Sequence, residues 1–280
     1  MRASILGVLA SVVVVATATA CGGANGVAPD CTTPGGCGPD TTLKPTNLAT
    51  GWVSKTLVDN GTPFKYQIFV PPSYNSSTTR LPVILFMHGS GEQGTDGVKQ
   101  TTEGLGPYIK TRESTWPAIT VFPQTLTGEG TATLRMRIAD LELNATLAEY
   151  TKADTTRLYL TGLSSGGFWA FQMALATPNR WAAFAPMAAV MCATCFPGQT
   201  LTKTQAWTQG AQILMKVPIW QFQGDADSNT PVTEVRAQVA AFKAAGHPII
   251  YTEYPGVGHD SWNRAYPDPA LWTWMFAQRR

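Results

Sequence analysis

The stretch Arg157-Leu-Tyr-Leu-Thr-Gly-Leu-Ser-Ser-Gly-Gly167 puts one serine, Ser164, between glycines that stand two residues away on either side. Its first half, Leu158 to Thr161, is short, apolar and bulky and predicts a buried strand. Phe168 to Ala176 is rich in helix formers. A strand, a tight turn and a helix in that order hold a serine in strained backbone geometry with its Oγ at the tip of the turn. The free N–H groups of the helix point back at the same tip, where a developing oxyanion would be stabilised. The chemistry on offer is attack of a hydroxyl on an acyl carbon, provided that a base takes its proton.

Three histidines could supply the base. His88 precedes a glycine-rich turn and is expected to orient that loop. His247 stands between a helix and a strand, next to Pro248, and is expected to be solvated. His259 lies in Gly256-Val-Gly-His-Asp260 after the last predicted strand. Loops at the carboxyl ends of strands gather around the crevice of an open α/β sheet, so His259 is the predicted base. A carboxylate must fix its tautomer and stabilise the imidazolium. Gly224-Asp-Ala-Asp-Ser-Asn-Thr-Pro231 offers Asp225 and Asp227, either of which could instead cap the next helix or brace the turn. The oxyanion needs two donors: the backbone N–H of Ser165, after the nucleophile, and one from His88-Gly-Ser-Gly91, assigned to Ser90. Glycines there let the backbone approach a substrate closely.

Positioning these residues requires a sheet. Trp52 to Leu57 and Phe64 to Val70 predict antiparallel strands around the turn Asp59-Asn60-Gly61. Leu81 to Met87 is a continuous apolar run, as expected of a strand covered on both faces. Ala118 to Phe122, Trp181 to Val190, Val217 to Gln223 and Pro248 to Tyr254 are further predicted strands. Thr131 to Tyr150, with Leu134, Ile138, Leu141 and Leu147 at helical spacing, predicts a long helix. Val232 to Ala245 and Pro269 to Gln278 predict two more. Strands alternating with helices imply an α/β class, with a mostly parallel sheet, helices on both faces and an antiparallel N-terminal hairpin.

The ends of the chain carry other information. Met1-Arg2, the apolar run Ile5 to Val15 and Ala18-Thr19-Ala20 predict a secretory signal peptide over residues 1–20. Cys21 follows the cut and is a candidate for lipidation, so a cell-envelope lipoprotein is expected, with free secretion as the other route. Residues 21–45 are dense in Gly, Pro and Thr and predict a flexible tether before a catalytic domain over residues 46–280. Cys31, Cys37, Cys192 and Cys195 suggest two disulfides, simplest as nearest neighbours. Nothing completes a tetrahedral metal site around Cys192-Ala-Thr-Cys195, so no metal is expected there. A net charge of +2 with 14% charged residues leaves no basic stripe and argues against nucleic acid as a partner.

His88-Gly-Ser-Gly-Glu-Gln-Gly94, Phe122-Pro-Gln124, Arg157 to Gly167, Gln223-Gly-Asp-Ala-Asp227 and Tyr254-Pro-Gly-Val-Gly-His259 together resemble the secreted esterase branch of the α/β-hydrolases. That branch includes feruloyl and acetylxylan esterases, polyhydroxybutyrate depolymerase-like enzymes and predicted peptidases. The resemblance spans most of residues 50–280 and implies the α/β-hydrolase fold, with Ser164, Asp227 and His259 as the triad. It selects Asp227 over Asp225, because the family's acid is the third residue after the glycine. The chain departs from the pattern at Gln223, often His, and at Ser165, often Met. The expected reaction is hydrolysis of a small-molecule or polymer-borne carboxylic ester through an acyl-enzyme, without metal or organic cofactor. A peptidase of the same fold is the runner-up, and an inactive ligand-binding lipoprotein is the rival from another class. Met191 to Gln212 reads either as a lid shaping the pocket, with Trp207 in it, or as surface padding stapled by Cys192 and Cys195. Trp262 is a second candidate for contact with a sugar or aryl group.

Overall fold

The computed structural model describes residue 43, residues 46–126 and residues 132–280. Eight strands form one sheet: β1 (Gly51–Asp59), β2 (Thr62–Val70), β3 (Leu81–Met87), β4 (Ile119–Pro123), β5 (Ala153–Leu163), β6 (Ala183–Met187), β7 (Trp220–Gly224) and β8 (Ile250–Tyr254). Their spatial order is β1-β2-β4-β3-β5-β6-β7-β8. The β1–β2 and β2–β4 pairs are antiparallel, and every pair from β4 through β8 is parallel. Asn60 and Gly61 turn the first hairpin with φ of 48° and 79°, both positive, as a two-residue turn matching the twist of its strands requires. This is the predicted arrangement, with β5 at its centre.

The helices are α1 (Leu105–Lys110), α2 (Ala132–Glu149), α3 (Ser165–Ala176), α4 (Lys203–Ile213), α5 (Val232–Ala244), α6 (Trp262–Ala265) and α7 (Pro269–Ala277). They divide over two cores. Leu143, Phe171, Trp207 and Val239, from α2 to α5, pack into one core; Leu105, Ala265 and Trp272, from α1, α6 and α7, pack into the other. The apolar run of β3 serves both by alternation: Val83, Leu85 and Met87 enter the first core and Ile84 and Phe86 the second. The register pairs Met87 with Gly162, Leu163 with Met187 and Gly224 with Tyr254. The loops that follow β3, β5, β6, β7 and β8 therefore leave from one edge.

Several expectations need correction. Met191 to Gln212 is not one long loop: its second half is α4, opened by a reciprocal Thr202–Gln205 capping box. Trp207 lies on the buried face of that helix, in the core, with its Nε1 donating to the Met191 carbonyl at 2.9 Å. It therefore does not reach a substrate. His247 is buried, not solvated, and Nε2 lies 3.0 and 3.2 Å from the carbonyls of Leu214 and Val217. Burial holds its pKa below the usual range despite those two bonds, so the ring is neutral. The inward face of α2 carries Ile138, Ala139, Glu142, Leu143 and Thr146, while Leu141 and Leu147 are only half-buried. Cys192 and Cys195 are joined in a disulfide. The expectations for residues 1–20, for Cys21 and for Cys31 and Cys37 lie outside the described residues, as does nearly all of 21–45.

Candidate active site

Ser164 stands between the end of β5 and the start of α3, with φ of 54° and ψ of −126°. Its N–H donates to the Met187 carbonyl of the neighbouring strand at 2.9 Å, and its carbonyl accepts from Phe168 in the first turn of α3. The turn is so tight that only glycine fits beside it. A Cβ on Gly166 would lie 2.0 Å from the Met87 carbonyl oxygen and 2.4 Å from that of His88. One on Gly162 would lie 2.6 Å from the Gly166 oxygen. The two flanking glycines therefore allow β3, β5 and α3 to converge, and the strained φ aims the hydroxyl outward.

Ser164 Oγ lies 2.7 Å from His259 Nε2, and His259 Nδ1 lies 2.8 Å from Asp227 Oδ2. The three residues come from the loops after β5, β8 and β7. Asp227 is held from all sides: the N–H groups of Asn229 and Thr230 donate to Oδ1 at 2.8 and 2.9 Å, and Gln223 Nε2 donates to Oδ2 at 2.8 Å. Burial alone would raise its pKa, but the Thr230 N–H, the His259 ring, the Asn229 N–H and the Gln223 amide outweigh it and hold the carboxyl below its usual range. Asp225 has different work. Its Oδ1 accepts the Gly256 N–H at 2.6 Å, while the N–H groups of Asp225 and Ala226 donate to Tyr254 and Val257. These bonds pin the loop that carries His259.

Around the serine is a cleft of about 500 Å³. Ser90, which opens a 3-10 turn after β3, and Ser165, the first residue of α3, both border it. The loop bearing Ser90 is anchored by His88. Its Nδ1–H donates to the Gly89 carbonyl at 2.5 Å, and Nε2 accepts the Thr125 N–H at 3.0 Å. Burial depresses the pKa of His88 to about 4, so the ring is neutral and its tautomer is set. Trp262 lies in the cleft wall, packs edge-to-face on the His259 ring with centroids 5.4 Å apart, and donates from Nε1 to Glu103 at 2.7 Å.

Sequence reasoning assigned no role to Gln223, Glu92 or Glu103. In the sequence Gln223 marks only a departure from the family pattern, and Glu92 is one residue within the His88 to Gly94 motif. Glu103 has no local signal, because the tryptophan that it binds is 159 residues away.

No curated protein sequence matches the chain. Among solved structures it is similar to a thermostable esterase, with a TM-score of 0.66 and 25% identity over 82% of this chain and 63% of that one. The chain thus spans 63% of the length of that protein. It is also similar to a ferulic acid esterase (TM-score 0.62, 17% identity, 82% of this chain and 98% of that one). A third is an S-formylglutathione hydrolase from Staphylococcus aureus (TM-score 0.58, 14% identity, 81% and 99%). At that identity the last two speak to fold alone. The model of the Esterase family, described as "Putative esterase", matches residues 58–266. The chain has the α/β-hydrolase fold and belongs to the esterase family.

Proposed function

We propose that the protein is a serine hydrolase of carboxylic esters that works through an acyl-enzyme. The observation that carries this reading is the unbroken chain of hydrogen bonds from Ser164 through His259 to Asp227 at the floor of the cleft. In the proposed reaction His259 Nε2 takes the Ser164 proton as Oγ bonds to the acyl carbon and the carbonyl π pair moves onto oxygen. The N–H groups of Ser90 and Ser165 receive that oxyanion; in comparable enzymes one such donor is worth about 3–4 kcal/mol. The imidazolium, steadied by ionised Asp227, protonates the leaving alkoxide as its bond to carbon breaks. Water, deprotonated by His259, then attacks the acyl carbon; as the bond from that carbon to Ser164 Oγ breaks, the imidazolium returns the proton to Oγ and the acid leaves.

We further propose export, with Cys21 as the lipidated first residue; the Cys192–Cys195 disulfide supports an oxidising compartment. The ester reading is tested by initial rates on p-nitrophenyl acetate and on the matching p-nitroanilide. Turnover of the ester with no measurable cleavage of the amide is expected. Amide cleavage at a comparable rate would hand the site to a peptidase.

A further inference from the structure

The cleft lining is of two unlike kinds. Phe168 of α3 and Ala189 and Val190 after β6 make part of the lining apolar, with Asn229 and Thr230 from the loop after β7 beside them. The other part holds Glu92, Glu103 and Trp262, and among the described residues no lysine or arginine borders the cleft. The two carboxylates are close enough to feel one another. Burial and then the Glu103 charge raise the Glu92 pKa, against the N–H groups of Gly89 and Glu92 and a smaller pull from Lys99. Glu92 is also close to the chemistry. The point where a Cβ on Gly89 would sit is 3.0 Å from Glu92 Oε2 and 3.7 Å from Ser164 Cβ.

The side of the cleft on which this charge lies can be read from the proton path. His259 must protonate the leaving oxygen, so the alcohol departs along the surface that His259 and its packed neighbour Trp262 form. Glu103 continues that surface through its bond to Trp262 Nε1. The apolar part of the lining is then left for the acyl chain.

We infer that Glu92, Glu103 and Trp262 form a subsite for a positively charged, ammonium-bearing alcohol, so that the preferred substrates are cationic esters with an apolar acyl group. This rests on the ester hydrolase reading above. Two carboxylates beside an indole, with no lysine or arginine among the described residues that line the cleft, favour an ammonium group and disfavour an anionic alcohol.

The test is competition against p-nitrophenyl acetate by choline and by 3,3-dimethylbutan-1-ol, its uncharged isostere. Choline should inhibit with a Ki about tenfold lower or better in dilute buffer, as expected for paired charges near a protein surface. The gap should shrink in ~1 M NaCl, where the screening length falls to about 3 Å. The double variant Glu92→Gln/Glu103→Gln should close it. No inhibition by choline, equal or weaker inhibition than by the isostere, or tighter inhibition by xylose would overturn the inference. If p-nitrophenyl acetate is not hydrolysed at all, the ester hydrolase reading fails instead. Calorimetric titration of the wild-type protein with the same two alcohols would then decide the subsite by itself.

Discussion

Asp227→Asn is expected to lower kcat for p-nitrophenyl acetate about 10⁴-fold in a protein that still folds. The reason lies in the partners of the carboxylate. Two backbone N–H groups, from Asn229 and Thr230, converge on Oδ1, so an asparagine must put its oxygen there. Its NH₂ group then occupies the place of Oδ2, facing His259 Nδ1. A donor at that position forces Nδ1 to accept, and the ring proton moves to Nε2, against the Ser164 hydroxyl. The base is then blocked by its own proton. Gln223 meets a conflict: its Nε2 donates both to Asp227 Oδ2 and to the Thr230 carbonyl, at 2.8 and 2.9 Å, so rotating the amide to accept from the new NH₂ group would set Oε1 against that carbonyl. The tautomer change sets the loss in kcat, while the conflict at Gln223 shows separately as a lower thermal midpoint. A fall of less than tenfold, with the fold intact, would show that Asp227 does not set the tautomer.

Glu142→Met is expected to stabilise the protein by about 2–4 kcal/mol at pH 8, a rise of roughly 5–10 °C in Tm for a domain of this size. Glu142 is fully buried on α2, and neither carboxyl oxygen has a hydrogen-bond partner among the described residues. Burial drives its pKa well above the usual 4.5. The direction with pH follows. Below about pH 4.5 the acid is neutral in the folded and the unfolded chain, so ionisation costs nothing. Above that, the unfolded chain releases the proton and the folded one keeps it, so wild-type stability falls as pH rises toward the folded pKa. Methionine removes both the unpartnered oxygens and the slope. Thermal melts of the two proteins from pH 4 to pH 8 check this. The difference should widen with pH; a constant difference, or a lower midpoint for the variant, would contradict it.

How much of this was legible in the sequence depends on whether the signal was local. The apolar run of β3, the Asn60-Gly61 turn and the strand–serine–helix junction at Ser164 are each written within a few residues, and each stands where it was expected. The helix α4 was missed because three of the four residues on its buried face, Ala206, Gly210 and Ala211, are small and give little apolar signal around Trp207. Its Thr202–Gln205 box was the available cue. Glu142 was passed over because Leu141 and Leu147 drew the stripe to the neighbouring face. His247 answers carbonyls some 30 residues upstream, and no pattern around it says so. The site divides in the same way. The resemblance singled out Asp227, but what holds it, the Gln223 amide and two backbone N–H groups, is a matter of loop geometry.

The claim on which the rest stands is that Ser164 is a nucleophile activated by His259. Labelling with a fluorophosphonate probe, followed by mass spectrometry of the digested protein, tests it most directly. The account predicts one stoichiometric adduct on Ser164, absent in Ser164→Ala and formed far more slowly in His259→Ala. An adduct on Ser165, undiminished labelling of Ser164→Ala, or no adduct in a protein that hydrolyses esters would contradict it.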